Sequence, residues 1–490
     1  MRGRDDERRG GLRARLARGG VVNAGFMTGA EGLVVVQGLL ATALLGPDAI
    51  GLYGIVSTTA MTIVALRRVG TDEAFVRHEA EDEALEFQRA FTVELALGLA
   101  AALLIALAAP VLAALYDDDR LLALTLAVTY LPVAFALQAP QWIFFRRMDY
   151  VQLRVLQAIV PLGTVLVATP LLLAGVGVWA LIIGPLAGNA LAVAAALRAS
   201  PYPLAVRPDR DAARRYLRFS WPIFLTALGA LVVAQGQIAL YGLDRGLAGA
   251  GWMTLAVTLT RYADRADQIV ATTIYPAIVR VRDRLALQEE LFTGASRIGL
   301  LFAFPFGAGL ALFAGDLVDF VLGTEWEPAI PLIAGLALIT AAGQIGYTWF
   351  AFQRARGEPG PQAVETGVLA GTFLLLAVPA ALAWGTAGFL AGRAAGMACV
   401  LAVRRVYLRR LLPGVRVEAL ALRAAIPAAL ASAAVLAIRL SFWGGERQVG
   451  QALGELALWA VLVVVLVLRL DGPLLRELRG LVRGPAAGPA

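Results

Sequence analysis

Apolar runs of roughly twenty residues, the length that lets a helix cross a bilayer, recur thirteen or fourteen times along this chain between short polar breaks. They predict helices near Gly19 to Leu45, Ile50 to Leu66, Ala90 to Tyr116, Leu121 to Phe144, Val155 to Ala174, Val178 to Leu197, Phe219 to Leu243 and Ala248 to Tyr275. Six more follow near Ile298 to Leu322, Ala329 to Gln353, Ala363 to Trp384, Ala387 to Val403, Ala421 to Ile438 and Leu453 to Leu468. The fold class is an all-α polytopic membrane protein of about fourteen transmembrane helices, because a spanning helix satisfies its own backbone hydrogen bonds.

Composition removes the soluble alternative: the chain is 59% hydrophobic and 16% charged, with a mean hydropathy of +0.72. Every basic residue is an arginine, and their placement sets an orientation. Arg2, Arg4, Arg8, Arg9, Arg13, Arg15 and Arg18 precede the first helix, and alternate loops hold Arg67, Arg68, Arg146, Arg147, Arg207, Arg210, Arg214, Arg215, Arg280, Arg282, Arg284, Arg354, Arg356, Arg404, Arg405, Arg409 and Arg410. The intervening loops hold only Arg120, Arg245, Arg439 and Arg447, so the positive-inside rule puts both termini in the cytoplasm. Loops anchored on anionic lipid account for the net charge of +7, which makes membrane lipids the partner and leaves no case for nucleic acid. Cys399 is the sole cysteine and His78 the sole histidine, so neither a disulfide nor a thiol metal cluster is expected. The first apolar stretch is full length and lacks a cleavage site, so it is expected to remain as the first transmembrane helix.

The two halves resemble each other at an offset of about two hundred residues. Gln37 falls on Gln237, Gly46 on Gly246 and Gly51 on Gly251, and Leu186-Ala187-Gly188-Asn189-Ala190 falls near Leu390-Ala391-Gly392-Arg393-Ala394. Six crossings per half give parallel repeats. The expected divisions are an arginine-rich N-terminus (1–18), a first six-helix lobe (19–200), a cytoplasmic linker (201–218), a second lobe (219–412), two further helices (413–470) and a cytoplasmic tail (471–490).

A charge at mid-bilayer costs roughly 2.5–3.5 kcal/mol on insertion scales, so the few polar residues inside the helices are the candidate site. The eighth predicted helix carries Arg261, Asp264 and Arg265, whose i, i+3, i+4 spacing puts them on one face. Glu31 lies near mid-depth of the first helix and Arg393 within the twelfth, while Gln37, Gln237, Asn189, Gln138, Gln235 and Gln344 add neutral groups. Two readings stand side by side. In one, these residues line a hydrated cavity whose guanidinium forks bind phosphate or pyrophosphate bidentately. In the other, an Arg–Asp network and glutamine contacts pin helices together. Glu94, near a helix end, is expected to snorkel. Asp117, Asp118 and Asp119 read as a solvated turn rather than a cation site. No metal, cofactor, nucleotide loop or catalytic constellation is expected.

In the first half, LLGPDAIGLYG from Leu44 to Gly54, Val69-Gly70 followed by Ala74-Phe75-Val76-Arg77, and Gly177-Val178-Trp179-Ala180-Leu181 form one set of motifs. In the second half the set is RFSWPIF from Arg218 to Phe224, Tyr275-Pro276-Ala277-Ile278, and Leu322-Gly323-Thr324-Glu325-Trp326 with Pro331-Leu332. In this order the chain resembles the oligosaccharide flippases of the polysaccharide-transporter branch of the multidrug/oligosaccharidyl-lipid/polysaccharide (MOP) exporter superfamily. The resemblance implies two six-helix lobes in a V around a central cavity. It also implies alternating access that moves a lipid-linked oligosaccharide, on a polyprenyl diphosphate, across the bacterial cytoplasmic membrane. Coupling to H+ or Na+ and association with glycan assembly enzymes stay open. Relatives often carry Asn-x-Asp in the seventh helix, where this chain has Gln235-Gly236-Gln237, and Asp72-Glu73 stand where small or apolar residues are common.

A drug or organic-cation exporter of the same superfamily is the alternative, and it would prefer an acidic or aromatic cavity. A glycan polymerase or ligase needs catalytic side chains and sizeable outer loops. The predicted outer loops are short, and neither histidine nor paired carboxylates converge in them.

Overall fold

The computed structural model describes residues 2–67, 71–77, 82–147, 149–264, 274–275, 278–281, 283–356, 358, 360–442 and 447–470. Side chains are not described for residues 2–31, 66, 73–74, 77, 150, 212, 215–228, 230, 264 and 442. No strand occurs among the described residues, and the chain divides into two compact units, Met1–Gly251 and Trp252–Ala490.

The first unit holds α1 (Arg2–Arg67), α2 (Thr71–Arg77), α3 (Glu83–Tyr116), α4 (Arg120–Ala127), α5 (Tyr130–Leu137), α6 (Pro140–Arg146), α7 (Tyr150–Leu173), α8 (Trp179–Ala199) and most of α9 (Arg210–Thr260). The second holds α10 (Leu285–Leu312), α11 (Ala314–Leu317), α12 (Ile330–Gly343), α13 (Trp349–Arg356), α14 (Gly360–Thr372), α15 (Val378–Leu411), α16 (Val417–Phe442) and α17 (Val449–Leu470).

Ten helices among the described residues are long and apolar enough to cross a membrane. Several long helices are two crossings joined by a tight break. In α1 the break is Gly46, at φ 71°, followed by Pro47; in α9 it is Gly246, at φ 70°. A side chain at that φ would be strained, so glycine stands at both. In α15 the helical path breaks at Trp384 and Gly385. Counting these turns, the helices agree with the expected set of about fourteen.

The fourth crossing, Arg120–Arg146, is built from α4, α5 and α6. Its breaks follow from proline chemistry. Pro132 and Pro140 cannot donate to the carbonyls four residues back, Val128 and Ala136, and those carbonyls instead accept from Leu131 (3.0 Å) and Ala139 (3.1 Å) in tighter turns. In the second unit a run of tighter turns without a proline separates α12 from α13, with Gly346 at φ 70°.

The core of the first unit near the linker is aromatic: Phe75, Phe87 and Phe91 pack with Ile143, Trp142 and Tyr202. The connection from Ser200 to Asp209 lies along α3. Gln88 donates to the Pro203 carbonyl (3.2 Å), the Arg207 amide donates to Thr92 (2.7 Å), and Arg89 pairs with Asp209 (2.9 Å). In the second unit Trp349, Phe292 and Phe352 form one cluster and Trp459 centres another with Ala431, Val435 and Val463.

One predicted helix is shorter than expected. Instead of running on to Tyr275, α9 ends at Thr260, whose hydroxyl bonds back to the Ala256 carbonyl (2.8 Å), and a 3-10 turn covers Arg261–Asp264.

Candidate functional site

Within the first unit, three of the neutral candidates are buried: Gln37, Gln237 and Asn189. Asn189 projects from α8 into a hydrogen-bonded chain. Its side-chain oxygen accepts from Gln138 (3.0 Å), its nitrogen donates to the Pro185 carbonyl (2.9 Å), and Gln141 donates to Gln138 (3.2 Å). The break between α5 and α6 turns Gln138 toward α8, so this polar chain joins two spans. Gln237 is different, because its side-chain oxygen is buried without a hydrogen-bond partner.

The two glycine turns of the first unit lie against each other. A Cβ on Gly51 would sit 1.9 Å from the Leu247 carbonyl oxygen, and one on Gly251 would sit 2.0 Å from that of Pro47. The contact is reciprocal, and only hydrogen fits between the backbones.

Within the second unit, Arg261 opens the 3-10 turn after α9 and is exposed. Arg261 and Asp264 therefore lie on a 3-10 turn rather than on an α-helix. A 3-10 turn still eclipses residues i and i+3. The side chains of Asp264 and Glu31, and all of Arg265, lie outside the described residues. Arg393 projects from α15 in the middle of an apolar span. Its Nε is buried without a hydrogen-bond partner, its guanidinium lies 6.0 Å from the centre of the Phe373 ring, and it forms no ion pair among the described residues. No hydrogen bond joins Arg261, Arg393, Gln37, Gln237 and Asn189 to one another among the described residues.

Other buried charges are paired. Glu94 does not snorkel: it is buried against Arg67, an arginine expected in a lipid-anchored loop. Arg404 grips Glu365 with both side chains buried. Arg439 and Arg447 share Asp316 and Glu455, binding α11, α16 and α17 together, with Arg439 3.0 Å from Glu455 and 3.3 Å from Asp316. An acid inside an apolar window was the available signal. Glu94, Glu365 and Glu455 each sit in one, and each pairs with an arginine of another helix. Removing one partner of such a buried pair costs about 3–5 kcal/mol, so these networks are structural first.

Chemically, Arg393 is thus a cation in an apolar span with no carboxylate partner among the described residues, an arrangement able to receive an anion. Asn189, at the matching place in the first unit, is already satisfied.

A sequence model described as polysaccharide biosynthesis protein matches residues 40–331. Among solved structures, the chain is similar to a lipid II flippase MurJ in an inward closed conformation, with a TM-score of 0.68 at 12% identity, covering 91% of this chain and 99% of that one. It is also similar to an inward-facing multidrug resistance MATE family transporter of the MOP superfamily, with a TM-score of 0.62 at 16% identity over 78% of this chain and 96% of that one. An outward-facing structure of such a transporter gives a TM-score of 0.57 at 17% identity over 82% of this chain and 96% of that one. No curated protein matches in sequence. At these identities the structural likeness establishes the fold, shared with these flippase and transporter structures, in a multi-pass membrane protein.

Proposed function

We propose, starting from the fact that this chain belongs to the polysaccharide biosynthesis protein family, that it is a flippase for a lipid-linked oligosaccharide carried on a polyprenyl diphosphate. It works in the bacterial cytoplasmic membrane, with both termini in the cytoplasm, and moves its cargo to the outer leaflet by alternating access. The observation that carries the reading is Arg393, a guanidinium in an apolar span that no carboxylate of the described residues neutralises. A diphosphate headgroup supplies the missing anion, and a guanidinium fork suits its oxygens. Arg261 and Arg265 complete the cationic wall, with Asp264 and Glu31 setting its charge. The polyprenyl tail stays in lipid while the sugars occupy hydrated space, where Gln37, Gln237 and Asn189 offer hydrogen bonds. The reciprocal glycine turns, on the outer side in this orientation, are the pivot proposed for alternating access.

A drug exporter is the second reading, favoured by the likeness to MATE transporters. An organic cation, however, is repelled by an unpaired arginine. Complementation of a flippase-deficient strain, with lipid-linked oligosaccharide quantified on each leaflet, tests the first reading. Accumulation in the outer leaflet is expected. Export of organic cations with no movement of lipid-linked sugar would replace it with the second.

A further inference from the structure

We propose that Arg404 is a tethered cation filling an ion cage at the break of the tenth span, a place where an interrupted helix offers oxygens to a mobile ion. The cage is assembled from two segments of the second unit. From the interruption after α12 come the carbonyls of Gly343 and Ile345, each 2.6 Å from Nη1 of Arg404. From α14 comes the Glu365 carboxylate, with one oxygen 2.6 Å from Nη2 and the other 3.1 Å from Nε. The Tyr347 and Phe350 rings lie 5.8 and 5.9 Å from the guanidinium carbon. Side-chain exposure is 4% for Arg404 and 6% for Glu365, so water is not the solvent of this charge.

Four oxygens converging on one buried positive centre is the donor set of a cation site, not of a helix-to-helix salt bridge alone. Two of the four are carbonyls released by the break, at the negative end of the α12 dipole, and one carboxylate balances the charge. Unwound carbonyls and half-helix C-terminal ends coordinate coupling ions in transporters with discontinuous helices. Here the chain supplies the cation itself, from the α15 helix that packs beside the break. The position is consequently filled in every cycle, and no dissociating ion is consumed there. This holds whatever substrate the protein moves, so its test needs no transport.

If Arg404 is a resident ion, removing it opens a cage of net negative charge that a small cation enters. The full chain, purified in detergent, is melted in sodium, potassium or N-methyl-D-glucamine chloride at equal ionic strength, as wild type, Arg404→Ala, Arg404→Lys and the double variant Arg404→Ala/Glu365→Gln. Arg404→Ala is expected to gain a saturable rise in Tm with sodium or potassium over the wild type, as mass action requires of an ion that binds the native state. Arg404→Lys keeps a tethered cation and gains none, and the double variant loses the gain. Melting of Arg404→Ala that is the same in all three salts, as follows if Glu365 takes up a proton instead, overturns the proposal. So does an Arg404→Ala protein that none of the salts recovers folded, or a double variant that keeps the alkali-cation gain.

Discussion

Leu186 to Ala190 in α8 and Leu390 to Ala394 in α15 differ only at their fourth residue, and their surroundings separate packing from chemistry. The third residue does the same thing in both. A Cβ on Gly188 would meet the Val160 carbonyl oxygen at 2.6 Å, and one on Gly392 would meet the Ala377 Cα at 2.6 Å, so each glycine lets its helix lie against a neighbour. The fourth residue does not. Asn189 is buried and satisfied by Gln138 and Pro185, whereas Arg393 keeps an unpartnered Nε beside Phe373. A repeat preserves the contact its fold needs, and the adjoining position is free to become helix glue in one unit and a cation in the other.

Exchanging the two residues breaks the comparison most sharply. Arg393→Asn should keep the protein folded and expressed while lowering translocation by about tenfold or more. Truncating a buried charge that pairs with its ligand costs about 2–5 kcal/mol, and each 1.4 kcal/mol is about tenfold. The readout is lipid-linked oligosaccharide per leaflet, and an unchanged rate would assign Arg393 to packing. The double replacement Arg261→Gln/Arg265→Gln should lower the rate as well, and normal translocation by it would remove these two from the headgroup site.

A change at the matching position in α8 acts on stability. Asn189→Ala leaves Gln138 without its acceptor and should cost about 1–3 kcal/mol, read as a lower Tm, with translocation kept by the molecules that remain folded. Loss of transport at unchanged Tm would move Asn189 from the seam to the site.

The smallest effect gives an exposed baseline for these buried charges. In the turn after α3, hydrogen bonding from Arg120 holds the Asp118 carboxyl below the usual carboxylate range. A lowered folded pKa contributes stability above the unfolded value and loses it as pH falls through the folded one. Asp118→Asn should therefore lower Tm slightly at neutral pH, and the difference should close in acid, below about pH 4. A difference that persists in acid would show that the carboxylate charge is not its source.

Spans and turns were legible because bilayer thickness writes length into sequence and because only glycine tolerates the backbone at Gly46 and Gly246. The end of α9 at Thr260 was not, since an apolar stretch resumes at Ile269 after the charged residues and a local hydroxyl bond carries no periodic signal. The interruptions of the fourth span had a visible cause in Pro132 and Pro140, yet proline is common in membrane helices and does not announce which one breaks. The ion pairs were hidden for a different reason. Arg67 and Arg404 sit at span ends, where arginines anchor to lipid, and only the three-dimensional arrangement brings Glu94 and Glu365 to them. Of the site, the alignment of Asn189 with Arg393 could be read from the chain, but which of the two is satisfied could not.

Binding of a polyprenyl diphosphate without sugars to the purified protein, compared between wild type and Arg393→Asn by native mass spectrometry, tests the central claim most directly. The wild type is expected to hold the lipid and the variant to hold it about tenfold more weakly or worse, with a polyprenyl alcohol bound poorly by both. Equal affinity of the two proteins for the diphosphate would contradict the role given to Arg393.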